Sequence, residues 1–129
     1  MSDQATTVEE LLREYQQLPE FCGMVLKSVN ERGGFDSTPL HIAIYRERPH
    51  EVKILLNAGA DPNAAGEYGE RPLHVALNCW NPNIIEQLLR AGALPELKDK
   101  EGLDVWKVAD ILRVTREFAE IIDRFKRAT

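Results

Sequence analysis

The chain has little that would bind it to an oxidising compartment, a membrane or a nucleic acid. Only two cysteines, Cys22 and Cys79, occur in 129 residues, too few for a disulfide framework. A reducing compartment, the cytoplasm, is the simplest assignment, with one bridge between the two thiols left open. No apolar run approaches the roughly 20 residues that a membrane-spanning helix needs. Met1 to Tyr15 is polar and acidic, unlike a secretory or mitochondrial leader. Positive charge is also short, with 16 Lys and Arg against 21 Asp and Glu and a net charge of −5. A nucleic-acid binder would carry a basic face. The balance is uneven: residues 1–36 hold seven acids and three bases, and residues 103–129 hold six bases and five acids. The acidic start favours a basic partner or is simply a solvated surface.

Catalytic and metal-binding patterns are missing too. Gly33-Gly34 is not followed by the Gly-Lys-Ser/Thr of a phosphate loop. His74 and Cys79 are five residues apart, a poor alignment on a helix, and no second Cys/His pair stands at zinc spacing. The carboxylates are scattered along solvent faces, with no pair in an apolar context. No nucleophile, base and orienting group come together, so an enzyme is not expected, and neither are a catalytic residue, a cofactor or a metal.

What the chain has is a repeat. Hydrophobic residues make up 43% and charged residues 29%, enough for a core in one unit. Thr38-Pro39-Leu40-His41-Ile42-Ala43 recurs as Arg71-Pro72-Leu73-His74-Val75-Ala76, 33 residues later. The same offset takes Val52 to Ile85, Leu55 to Leu88, Leu56 to Leu89, Pro62 to Pro95, and Ala58-Gly59-Ala60 to Ala91-Gly92-Ala93. A decayed third copy follows, with Gly102 for Gly69, Trp106 for Leu73, Val108 for Val75, Ala109 for Ala76, and Phe118, Ile121 and Ile122 for Ile85, Leu88 and Leu89. Decay suits a last copy whose outer face meets water.

Each copy reads as helix–turn–helix. Thr38 is an N-cap and Pro39 occupies the first helical position. Leu40, Ala43 and Ile44 share a face. Pro49 opens a second helix, which Gly59 ends; Asn81-Pro82 and Gly92 repeat those roles. Asp61 to Gly66 and Leu94 to Asp99 are turn-rich and suit projecting hairpin-like loops. Thr7 to Glu10 fits a capping box for a helix through about Leu18. Pro19 is expected to open a second helix with Phe21, Cys22, Val25 and Leu26 apolar, and Thr115 to Lys126 to form the last helix. The expected fold is all-α, about four helix pairs in one domain spanning 1–129: N-terminal capping helices over 7–32, repeats over 34–66 and 67–99, and a C-terminal capping repeat over 100–129.

These motifs resemble ankyrin repeats, through Thr-Pro-Leu-His-x-Ala, a helix ending Leu-Leu-x-x-Gly-Ala-Asp-Pro-Asn and the period of 33. The resemblance covers 34–66 and 67–97 strongly, 100–126 weakly but in register, and 7–32 only architecturally. Arg71 replaces the usual Thr, so the second copy lacks that hydroxyl cap. Glu47-Arg48 and Trp80-Asn81 replace the usual Gly-His between paired helices. The resemblance implies a curved slab that binds proteins through loop tips and the exposed face of each first helix. Carried over, those positions are Gly34, Phe35, Ser37, Tyr45 and Arg46, then Glu67, Tyr68, Glu70, Asn78 and Cys79, then Lys100, Glu101 and Leu103. It also implies that His41 and His74 hold neighbouring copies in register rather than acting at a site.

Aromatic and Arg side chains anchor interfaces. Phe35 and Tyr68 stand at equivalent sites and should sit side by side on neighbouring tips; each ring either meets a partner or folds back onto its own loop. Tyr45 faces the same choice. Trp80, in a turn, is either a local plug or an exposed anchor. Arg46 and Arg48 pair with acids on a partner or are solvated charge. The expected function is to bind one protein partner, such as a toxin, effector or enzyme, and to block it. Small bacterial ankyrin proteins that serve as antidotes to secreted toxins are one such class of immunity protein or inhibitor. An adaptor, an assembly chaperone or a self-associating structural subunit are the alternatives. No nucleic acid or membrane is expected as a partner, and the free protein is expected to be a monomer.

Overall fold

A computed structural model describes residues 7–128, which fold into helices α1 (Val8–Tyr15), α2 (Pro39–Tyr45), α3 (Pro49–Asn57), α4 (Pro72–Cys79), α5 (Pro82–Arg90), α6 (Val105–Leu112) and α7 (Thr115–Ala128). The starts follow from local chemistry. Thr7 Oγ1 accepts the Glu10 N–H at 3.1 Å and Glu10 Oε1 accepts the Thr7 N–H at 2.9 Å, a complete capping box. Asn81 Oδ1 caps α5 through Ile84 N–H at 3.2 Å, and Asp104 Oδ1 caps α6 through Lys107 N–H at 2.9 Å. Proline occupies the first position of α2, α3, α4 and α5, where a missing N–H removes no helical bond.

The helices stack in two rows. The inner row runs α2, α4, α6; the outer row runs α3, α5, α7, and α1 lies against α3. Equivalent positions fill one continuous core: Val52, Ile85 and Phe118 are fully buried, as are Leu55 and Leu88. The third copy differs by a substitution. Ile44 and Leu77 are fully buried towards the next copy, whereas Asp110 stands at the same position in α6, exposed and accepting from Thr115 Oγ1 at 2.5 Å. Trp106 meets Phe118 edge-on at 4.7 Å. The exchange gives α6 a solvated polar residue where α2 and α4 bury an apolar one.

The N-terminal segment departs from the expected second helix. Pro19–Phe21 forms one 3₁₀ turn and then stops. Gly23 adopts φ 81°, which a continuing helix cannot use, and Cys22 and Val25 are exposed. Gln16 Oε1 instead accepts the Leu26 N–H at 2.8 Å. Phe21 is fully buried, and a Cβ on Gly33 would fall 2.5 Å from its ring, so glycine is required there. The result is one lone helix and three pairs. The segment nevertheless shares the repeat register. Asn30 Nδ2 donates to the Gly59 carbonyl and its Oδ1 accepts the Asp61 N–H; Asn63, 33 residues on, makes the same bonds to Gly92 and Leu94.

Two histidines link the copies. Thr38 N–H points at His41 Nδ1 at 3.3 Å, and His41 Nε2 lies 3.2 Å from the Glu70 carbonyl. His74 repeats this with Arg71 N–H at 3.0 Å and the Leu103 carbonyl at 2.8 Å. A carbonyl only accepts and a backbone N–H only donates, so the geometry fits the tautomer that donates from Nε2 and accepts at Nδ1. Arg71 has no hydroxyl to complete the cap, as the sequence implied. Its guanidinium donates instead to the Asn63 carbonyl at 3.0 Å and reaches the Lys98 carbonyl at 3.5 Å, binding two loops together.

Every helix pair turns through the same closure. Arg48, Asn81 and Val114 donate N–H to the carbonyls of Ala43, Ala76 and Ala109, and the residue before each is left-handed: Glu47 φ 52°, Trp80 φ 47°, Arg113 φ 62°. The outer helices close the same way at Gly59 and Gly92. A side chain in that conformation costs about 1 kcal/mol relative to glycine. Glu47→Gly and Arg113→Gly should therefore each raise unfolding stability by up to about 1 kcal/mol in urea titrations, whereas Trp80→Gly should lower it, because the half-buried indole packs on the core.

Burial lowers the His41 pKa, against partial support from the Glu70 carbonyl. The unfolded ring takes a proton near pH 6.5 and the folded ring resists it. Stability should be intact above about pH 6.5 and decline below it, with a slope of up to ~1.4 kcal/mol per pH unit from this residue, until folded His41 protonates. Urea midpoints between about pH 7.5 and pH 5.5 check this; His41→Gln should lower stability at the upper end and flatten the slope.

Candidate functional site

The loop tips are built by backbone bonds at a constant offset. Gly33 N–H donates to the Ser37 carbonyl at 2.8 Å, Gly66 N–H to Glu70 at 2.7 Å and Asp99 N–H to Leu103 at 3.0 Å. The second and third tips also join directly, Lys100 N–H to the Tyr68 carbonyl at 2.9 Å. A Cβ at Gly69 would lie 2.8 Å from the Lys100 nitrogen, so that junction needs glycine.

Phe35 and Tyr68 occupy the tips with φ 59° and 61°. Their side chains are 72% and 68% exposed, so neither ring folds back onto its loop. Tyr45, at the end of α2, is 49% exposed, and its hydroxyl donates to the Glu70 carboxylate of the next copy. Partial burial and that carboxylate push its pKa up, so the phenol stays protonated. Arg46 lies 5.8 Å over the Tyr15 ring, whose hydroxyl donates to Glu51 at 2.6 Å. Arg48 reaches Glu51 at 3.7 Å. Both arginines are exposed but lean towards the N-terminal end of the stack.

Other predicted positions are less available. Ser37 is 8% exposed and sits beneath the first tip, where its carbonyl closes the loop; it offers no contact surface. Cys79 is half-buried, with its thiol 3.8 Å from the Ile44 carbonyl, and burial followed by the Glu47 charge raises its pKa. That disfavours the thiolate a nucleophile needs. Trp80 packs on the core, the plug rather than the anchor. Asn78, Lys100 and Glu101 are exposed, and Glu67 and Glu70 half-exposed, around the second and third tips.

Two apolar residues on the same face were not among the predicted positions. Ile111 is 65% exposed and Leu112 38%. They follow Asn78 and Cys79 by 33 residues, so the offset that placed every other candidate would have found them; the decay of the third copy hid the correspondence. With Tyr68, Glu70, His74 and Glu101 they border a groove of about 330 Å³.

The geometry is that of a rigid helical-repeat scaffold displaying variable side chains. A family model of ankyrin repeats, in three copies, matches residues 1–99. The chain belongs to the ankyrin-repeat family. The match begins in the segment whose repeat motifs are weakest, where Asn30 shares the bonding of Asn63, and it stops before α6 and α7. No curated protein matches the chain. Ankyrin repeats generally mediate protein–protein interaction and are typically non-enzymatic, so proteins are this chain's partners in general. Among the described residues no helix is long and apolar enough to cross a membrane.

The left-handed backbone at Phe35 and Tyr68 works against folding, and their exposed rings bury little area to offset it. Phe35→Gly and Tyr68→Gly should each raise the stability of the free protein by up to about 1 kcal/mol, measured by chemical denaturation. A loss of stability would mean that the rings support the fold.

Proposed function

We propose that the protein binds one protein partner through its concave face and loop tips and thereby blocks that partner, as an antidote blocks a toxin or an inhibitor blocks an enzyme. The observation that carries this reading is the pair of exposed aromatic rings held on left-handed backbone at adjacent tips. Strain of this kind gathers at functional positions, and Tyr and Arg are the side chains on which interfaces depend most. Tyr45, Arg46, Arg48, Glu67, Glu70, Asn78, Lys100 and Glu101 extend the surface. Residues 1–129 act as one domain in this reading, with 7–32 and 100–129 as its caps, and the free protein is a cytoplasmic monomer.

The test begins with immobilised protein and mass spectrometry to identify the partner. Replacing Tyr45 and Tyr68 together by Ala should then weaken the complex by more than about 2 kcal/mol, some thirtyfold, without unfolding the protein. Unchanged affinity would refute the site. Loss of the partner's activity in the complex supports blocking; two partners held at once would instead make the protein an adaptor.

A further inference from the structure

The groove beside the third copy differs in chemistry from the rest of the face. At one pair of equivalent positions the stack presents Tyr45 and Arg46, then Asn78 and Cys79, then Ile111 and Leu112. The polar and basic character of the first copy gives way to two exposed aliphatic side chains in the third. These side chains, with Tyr68, give the groove an apolar wall. Its charged lining is entirely acidic: Glu70, Asp99 and Glu101, with no Lys or Arg. Lys100, between Asp99 and Glu101 on the third tip, is exposed and outside that lining.

The three carboxylates are not equally occupied. Asp99 Oδ1 already accepts the N–H groups of Glu101 and Leu103, both at 2.9 Å, so it contributes charge more than a free acceptor. Glu70 accepts from Tyr45. Glu101 is exposed and makes no ion pair among the described residues.

We propose that this groove receives a segment of the protein partner that presents a Lys or Arg side chain beside an aliphatic one. The base pairs with Glu101 under the field of Glu70 and Asp99, and the aliphatic group covers Ile111 and Leu112. Charge complementarity selects this occupant. An acidic segment would meet three like charges, and a wholly apolar one would strip water from carboxylates without pairing them. The inference rests on the concave-face reading above and narrows it to one chemistry.

Fluorescein-labelled peptides of alternating Leu and Arg, Leu and Glu, and Leu and Gln are titrated with the full chain and followed by anisotropy. The Leu–Arg peptide should bind, and binding should weaken with added salt. Glu101→Lys and Ile111→Asn should each weaken it about tenfold or more. Both residues are exposed, so unchanged helical circular dichroism and urea midpoints confirm that the variants are folded. Equal binding of the Leu–Glu peptide, no binding of the Leu–Arg peptide, or indifference to both substitutions overturns the proposal. The captured partner separates the two readings. If Tyr45→Ala with Tyr68→Ala weakens that complex while Glu101→Lys and Ile111→Asn leave it unchanged, the face binds but this groove does not take a basic segment. If none of them matters, the concave-face reading falls as well.

Discussion

The imidazole that bridges successive copies is the interaction on which the arrangement of the surface depends. His41 and His74 each take a cap N–H on one nitrogen and reach a loop carbonyl of the next copy with the other. Both rings are buried. A buried ring that satisfies two backbone groups, one in each copy, fixes distance and direction together, which apolar contact alone does not. The carbonyls it holds belong to Glu70 and Leu103, the residues that close the second and third tips. The positions of Tyr68, Glu101 and the groove between them therefore descend from two buried side chains. Asn30 and Asn63 do similar work at the opposite end of each copy, carrying the register back to the N-terminal segment.

On that frame, left-handed backbone falls on glycine at some turns and on larger residues at others. Beyond the outer helices it falls on Gly59 and Gly92, where it costs little. Between paired helices it falls on Glu47, Trp80 and Arg113, and at the tips on Phe35, Asp36 and Tyr68 beside Gly69 and Gly102. Trp80 has a folding reason, since its ring covers core. Phe35 and Tyr68 have none, being largely exposed. Glu47 and Arg113 are also exposed on left-handed backbone, so what sets Phe35 and Tyr68 apart is an aromatic ring carried on a loop tip.

Much of this was legible in the sequence, because a repeat exposes its own constraints. The offset located six of the seven helices, the opening prolines, the closing glycines and the recurrent histidines. Three features were not legible. The helix expected from Pro19 fails because Gly23 turns left-handed and Gln16 supplies a side-chain acceptor ten residues away, a long-range bond with no local pattern. Ser37 is indistinguishable in sequence from an exposed tip residue, and only its burial withdraws it from the face. Ile111 and Leu112 look like core residues in a decayed copy; their exposure emerges once Asp110, immediately before them, is seen to replace the buried Ile44 and Leu77.

The same register places the groove. Asp110 stands where Ile44 and Leu77 are buried towards the next copy, and α7 pairs with α6 as α3 and α5 pair with α2 and α4. Ile111 and Leu112, one and two positions further along α6, stand where Tyr45 and Arg46, then Asn78 and Cys79, stand in the earlier copies, and they face water beside the second and third tips. The tips themselves cannot close over them, because each is pinned by its own backbone bond and by the imidazole behind it. A surface held open in this way loses little conformational freedom when it is occupied, so apolar contact made there is retained as affinity rather than spent on ordering the site.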